Sequence, residues 1–241
     1  MPFYLLLSAF TIWMAVEAVR RGQAGSWLWI ILFFGPLGAA VYFFSEYLDH
    51  PWRWGAAAGR KVTADEVRRA QADAKRLDTA ATWGHLASLL RVRKEFPKAA
   101  EAAGNALERD PKSRDARYEL GLALFGTGRP ADAVPHLREV VATDRFFDTG
   151  DALFALAEAE KASGDFPGAR ADFEELSGRS GRPEILYALA EVQARLGDRE
   201  SAAQSLRRIV EEADLVPGYL QRNVKPWVRK ARRALKRMGS S

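Results

Sequence analysis

The chain has no cysteine among its 241 residues, which excludes a disulfide framework, a thiolate metal site and a thiol nucleophile. Histidine is almost as scarce. His50, His85 and His136 lie too far apart to share metal-ligand spacing, and none pairs with a serine-containing elbow. No glycine-rich phosphate loop occurs. Acidic residues are absent from residues 222–241, where eight basic side chains fall, so the net charge of +5 belongs to the C-terminal tail rather than to the whole chain. No enzyme class is supported by these residues, and no cofactor, metal, small-molecule substrate or nucleic-acid partner is expected. The basic segment is short and lacks the interleaved aromatics that stack on bases.

What is present divides in two. Residues 1–47 hold two apolar stretches, Phe3 to Val19 and Trp27 to Tyr47, joined by a short loop that begins Arg20-Arg21-Gly22. A membrane-crossing helix needs roughly 20 mainly apolar residues. The second run, Trp27 to Phe44, meets that length comfortably and the first narrowly, so a two-helix transmembrane hairpin is expected. A cleaved leader fits less well, because no Lys or Arg precedes the apolar run and no small-x-small site precedes Arg20. Five of the seven tryptophans fall in the first 54 residues, and four of them flank the second run, where amphipathic rings favour the headgroup zone. Gly35-Pro36-Leu37-Gly38 predicts a kink packed closely on the first helix. Glu17, the one ionisable group at membrane depth, is expected to pair with Arg20 or Arg21.

Residues 48–62 read as a linker rich in Gly and Ala. Thr63 with Glu66 has capping-box spacing, and Val67, Ala70, Ala74 and Leu77 recur at helical period, which predicts an amphipathic helix over 63–79 that packs on the next helices of the chain. From residue 80 to 214 one pattern recurs four times. Ala99, Ala133, Ala169 and Ala202 align with spacings of 34, 36 and 33, and twelve residues before each stands Ala87, Gly121, Ala157 or Ala190. Two antiparallel helices approach closely only where side chains are small, so paired small residues at both crossing points predict four helix-turn-helix units. Larger residues, among them Trp83, Leu90, Leu124, Leu137, Leu153, Phe173, Leu186 and Ile209, fill the seam. Turns are expected at Gly128-Arg129-Pro130, Gly164-Asp165-Phe166 and Gly197-Asp198-Arg199, with an irregular insertion at 144–149. Residues 215–241 predict a basic amphipathic helix. Val224, Trp227, Val228, Ala231, Leu235 and Met238 share its apolar face, which would cap the array. Beside this plainer reading stands contact of its cations, Arg229, Lys230, Arg233, Lys236 and Arg237, with anionic lipid.

The recurring unit over residues 80–214 resembles the tetratricopeptide repeat. The resemblance implies an all-α solenoid whose first helices line a concave surface for a peptide or helix of a partner protein. Carried over residue by residue, that surface comprises Arg91, Tyr118, Leu122, Phe125, Phe154, Glu158, Lys161, Tyr187, Glu191 and Arg195, flanked by Ser88, Asp115, Asp151 and Glu184. Tyr118, Phe125, Phe154 and Tyr187 are its expected anchors. Arg117 and Arg145 depart from the family pattern, standing where an aromatic residue and a proline are usual. The run ending "GPLGAAVYFF" resembles the amino-terminal membrane segment of cardiolipin synthases of the phospholipase D superfamily. That family's chemistry needs His-x-Lys motifs, and no histidine here is followed two residues later by lysine. The reading that results is a membrane-anchored scaffold in the plasma or inner membrane. The alternative is a non-catalytic accessory factor of phospholipid metabolism, or of a membrane complex engaged through the hairpin. Arg53, Arg60 and Lys61 against Arg20 and Arg21 give the positive-inside rule little to decide on, and it is the resemblance to the synthase segment, which in that family leaves the following domain in the cytoplasm, that together with the rule implies a cytoplasmic repeat domain.

Overall fold

The computed structural model describes residues 62–214, 216 and 221–239; the expected hairpin and linker lie outside them. Among the described residues are ten α-helices and one 3-10 turn. They run α1 (Ala64–Leu77), α2 (Ala80–Val92), α3 (Phe96–Arg109), α4 (Arg114–Gly126), α5 (Pro130–Thr143), the turn Phe147–Gly150, α6 (Asp151–Ser163), α7 (Phe166–Arg179), α8 (Pro183–Arg195), α9 (Arg199–Ala213) and α10 (Gln221–Gly239). None of these helices is long and apolar enough to cross a membrane.

Local chemistry sets the boundaries. The Thr63 hydroxyl accepts the Glu66 N–H at 3.2 Å while the Glu66 carboxylate accepts the Thr63 N–H at 2.8 Å, satisfying two donors that the first turn of α1 would leave open. Thr79 and Thr82 repeat the arrangement at α2. Proline stands in the first turn of α3, α5, α7 and α8, where its missing N–H costs nothing. Each helix pair turns in the same way. Gly128, Gly164 and Gly197 take φ of 78°, 94° and 84°, and in each case the next N–H bonds back to a carbonyl of the preceding helix, Leu124, Glu160 or Gln193. In the first unit Lys94 occupies the equivalent place, at φ 62°, with Glu95 N–H bonded to Leu90 O at 2.9 Å.

Packing follows the small-residue rule. Ala87, Ala157 and Ala190 on the first helices, and Ala99, Ala133, Ala169 and Ala202 on the second, are all buried. Gly121 shows why: a Cβ there would lie 2.7 Å from Leu137 Cγ. Phe173, Leu137, Leu153, Ile185, Leu186, Leu206 and Ile209 fill the seams with full burial, each contributing about 1.5–3 kcal/mol relative to exposure. Three cores result, one under α1–α3 that reaches α4 through Ala123, one spanning α4–α8, and one joining α8 and α9 to α10. Leu77, expected on the buried stripe of α1, is half exposed, because Asp78 turns left-handed and ends the helix there. The insertion becomes the turn Phe147–Gly150, in which Asp148, Thr149 and Gly150 take φ of 52°, 59° and 90° in succession.

Candidate functional site: the face of the first helices

The first helices α2, α4, α6 and α8 stand in a row, and their facing charges are linked across repeats. Arg91 donates from Nε to Glu119 Oε2 at 2.6 Å and from Nη2 to Oε1 at 3.1 Å. Burial works against the Arg91 charge, but the carboxylate holds its pKa above the ordinary value. Lys161 Nζ bridges Glu158 Oε1 at 2.7 Å and Glu191 Oε2 at 3.2 Å. Arg182, at the start of α8, reaches back to Asp151 Oδ1 at 2.7 Å and lays its guanidinium 5.3 Å from the centre of the Phe154 ring. Arg91, Glu158, Lys161 and Glu191, all expected on this face, therefore already have charged partners within the chain.

Tyr118 corrects an expectation. It is only 8 % exposed, since the Phe147 ring stands edge-on to it at 5.3 Å and the Arg114 guanidinium closes over Phe147 at 4.4 Å. Burial, reinforced by the Asp148 and Asp151 carboxylates, pushes the Tyr118 phenol well above its usual range. Tyr118 is a wall residue sealed by the chain's own insertion rather than an open anchor. Phe154 is half-buried, packed at 65° to Phe173 with ring centres 5.8 Å apart. Leu122 and Phe125 are half-buried against the middle core. Tyr187 tilts against Trp227 of α10 at 5.7 Å.

The open part of the face lies over α6 and α8, where a hollow of about 680 Å³ is lined by Lys161, Ala162, Phe166, Glu191, Ala194 and Arg195. Sequence reasoning supplied Lys161, Glu191 and Arg195 but missed Phe166. The sequence shows it only as the residue after Gly164-Asp165, where a turn reading hides an aromatic that starts α7. A smaller hollow of about 260 Å³ on the other side is lined in part by Arg138, Arg145, Glu160 and Asp172. There Glu160 Oε1 accepts from Arg138 at 2.8 Å, while buried Oε2 has no hydrogen-bond partner. Burial raises both Glu160 and Asp172, against the pull of Arg138 and Arg145 respectively. Arg145, standing where the repeat usually has proline, ties the insertion to α7 through Asp172 and Glu175, both at 2.7 Å. Among the described residues no group of three His, Asp or Glu side chains is placed to hold a metal ion.

On α10, Ala231 is fully buried and Trp227, Val228, Leu235 and Met238 pack on the last core. Lys230 Nζ lies 4.2 Å from the Trp227 ring centre and 5.7 Å from that of Tyr187, so it runs along the seam of the helix.

Known proteins agree with this architecture. The family model described as tetratricopeptide repeat matches residues 85–146 and 154–217, more than half of the chain. Among solved structures, YrrB, described as a TPR protein with an unusual peptide-binding site, superposes with a TM-score of 0.54 at 21% identity, covering 65% of this chain and 74% of that one. A structure of the MamA protein gives 0.56 at 19% identity, covering 73% and 91%. No curated protein sequence matches the chain. Paired small residues at each crossing, four like turns and a family match over both halves of the array make this chain a member of the tetratricopeptide repeat family.

Proposed function

We propose that the chain is a membrane-tethered scaffold that holds a segment of a partner protein on the first-helix face over α6 and α8. The carrying observation is the hollow lined by Phe166, Lys161, Glu191 and Arg195, which offers an aromatic wall with charges of both signs at its rim. An aromatic anchor ringed by polar groups is the arrangement that concentrates interface energy. The neighbouring part of the face, at Tyr118, is filled by Phe147, which supports the C-terminal half as the docking stretch. The structurally similar YrrB has a peptide-binding site, which supports a peptide as occupant. Catalysis is no part of this reading.

The tether rests on the apolar runs within residues 1–47. Capture from solubilised membranes tests the groove: the full chain should retain a partner that Phe166→Ala with Arg195→Glu releases while far-UV circular dichroism is unchanged. Undiminished capture would sink it. Resistance to alkaline carbonate extraction tests the tether, and protease protection of a tag after Ser241 in sealed cells tests the cytoplasmic placement. The accessory role in phospholipid metabolism is supported only by the synthase-like front, and an unaltered lipid profile after gene deletion removes it.

A further inference from the structure

Several arginines of the repeats are answered by acids on a neighbouring first or second helix, as in Arg91 with Glu119, Arg117 with Glu139 and Arg182 with Asp151. Helix α10 differs. Lys225, Arg229, Arg232, Arg233 and Lys236 are exposed, and no described residue forms an ion pair with any of them. No acid occurs anywhere from residue 215 to the C-terminus.

Their spacing places these five on one stripe about 100° wide, directly opposite the Trp227–Ala231–Ala234–Leu235 seam that α8 and α9 cover. Lys230 and Arg237 fall on the flank, and Lys230 is engaged with Trp227 and Tyr187. The stripe spans roughly 16 Å of the 19-residue helix, from Lys225 to Lys236, and is fixed outward because the opposite side is buried. A flat row of like charges fits a flat anionic surface. It offers no stacking platform for bases, since Trp227 is covered by Tyr187 and Lys230.

We infer that the outer stripe of α10, namely Lys225, Arg229, Arg232, Arg233 and Lys236, is a docking surface for the anionic headgroups of a phospholipid leaflet. This deepens the proposed function and rests on its membrane tether for the choice of lipid over nucleic acid. Tether and stripe then hold the repeat array at two points, and the stripe responds to lipid composition and salt while the tether does not.

Because the chain has no cysteine, Gly239→Cys at the exposed end of α10 accepts a single fluorophore. The labelled full chain is reconstituted into phosphatidylcholine vesicles carrying a lipid-borne quencher, with or without one-third phosphatidylglycerol. The expected result is quenching in the anionic vesicles. The docked-to-undocked ratio should fall at least tenfold in neutral vesicles, in molar salt, and in the variant Arg229→Gln/Arg233→Gln/Lys236→Gln, since each cation near such a surface is worth roughly fivefold. Equal quenching in both vesicle types, or no loss in the triple variant, overturns the inference. So does release of the label from anionic vesicles by a 20-nucleotide single-stranded RNA at phosphate concentrations below those of the lipid, which would reassign the stripe to nucleic acid. A chain stripped from the vesicles by carbonate fails the tether alone. Salt-sensitive co-sedimentation of the same labelled chain with the same two vesicle types then decides the stripe.

Discussion

Lys94 holds the backbone conformation that Gly128, Gly164 and Gly197 hold in the later repeats, with φ at 62°. A side chain in that region is strained and glycine is not, so Lys94→Gly should raise stability by up to about 1 kcal/mol, the strain relieved exceeding the added freedom of the unfolded chain. A rise in the urea midpoint of the N-terminal helices checks this; a fall would show that the turn carries no strain at Lys94. Gly121→Ala should act oppositely. Its Cβ would lie 2.7 Å from Leu137 Cγ, and separating α4 from α5 to relieve the clash costs about 1–3 kcal/mol, read by the same titration. Glu160 gives a pH signature. Burial raises its folded pKa, so the folded state takes up its proton first and the contribution of this group to stability grows as pH falls toward the ordinary carboxylate value. Asp198, lowered by its hydrogen bonds from Ser201, contributes above the ordinary range and loses that contribution as pH falls through its depressed value. From about pH 7 to about pH 5 the wild type should therefore gain stability relative to Glu160→Gln. A constant gap between the two would mean that Glu160 titrates like a solvated carboxylate.

Helix boundaries were largely legible in the sequence because they rest on contacts within a few residues. Thr63 with Glu66, the prolines at first turns and the turn glycines Gly128, Gly164 and Gly197 act where they stand in the chain. The insertion was legible only as an irregularity. That Phe147 would seal Tyr118, and that Arg145 would reach Asp172 some 27 residues on, depends on α4 and α7 arriving at the same place, which no local pattern encodes. Phe166 was missed for the same reason: its value lies in facing Lys161 and Glu191 from two other helices. At the element scale α10 is the clearest case of a part that needs its neighbour. Trp227→Ala should remove its packing on Tyr187 and loosen α10 and α9, costing about 2 kcal/mol for a half-buried ring. Amide hydrogen exchange should quicken in α8–α10 and stay unchanged in α2 and α3. Uniform acceleration would show that the array opens as one unit.

That locality is a property of the whole array, because each helix pair is held chiefly by the pair before and the pair after it. The four-unit count rests on the spacings of 34, 36 and 33, a pattern long enough to stand out from chance. The site was less fully legible, since the face of the first helices is open in one half and closed in the other by a segment that the repeat pattern treats as surplus. Urea unfolding of residues 62–241 should broaden relative to a two-state transition when the junction is weakened by Phe147→Ala, with the α1–α5 and α6–α10 halves melting apart. A single sharp transition would contradict this. The first core carries a consequence for load. Seven of its ten buried side chains are alanine, and α1 contributes only Ala70 and Ala74 to it. Pulled from its two ends, the array behaves as springs in series, every link bears the same force, and the link with the least apolar contact yields first. Helix α1 would peel away before any repeat opens, releasing roughly 48 Å of chain from its 14 residues as slack that spares the rest.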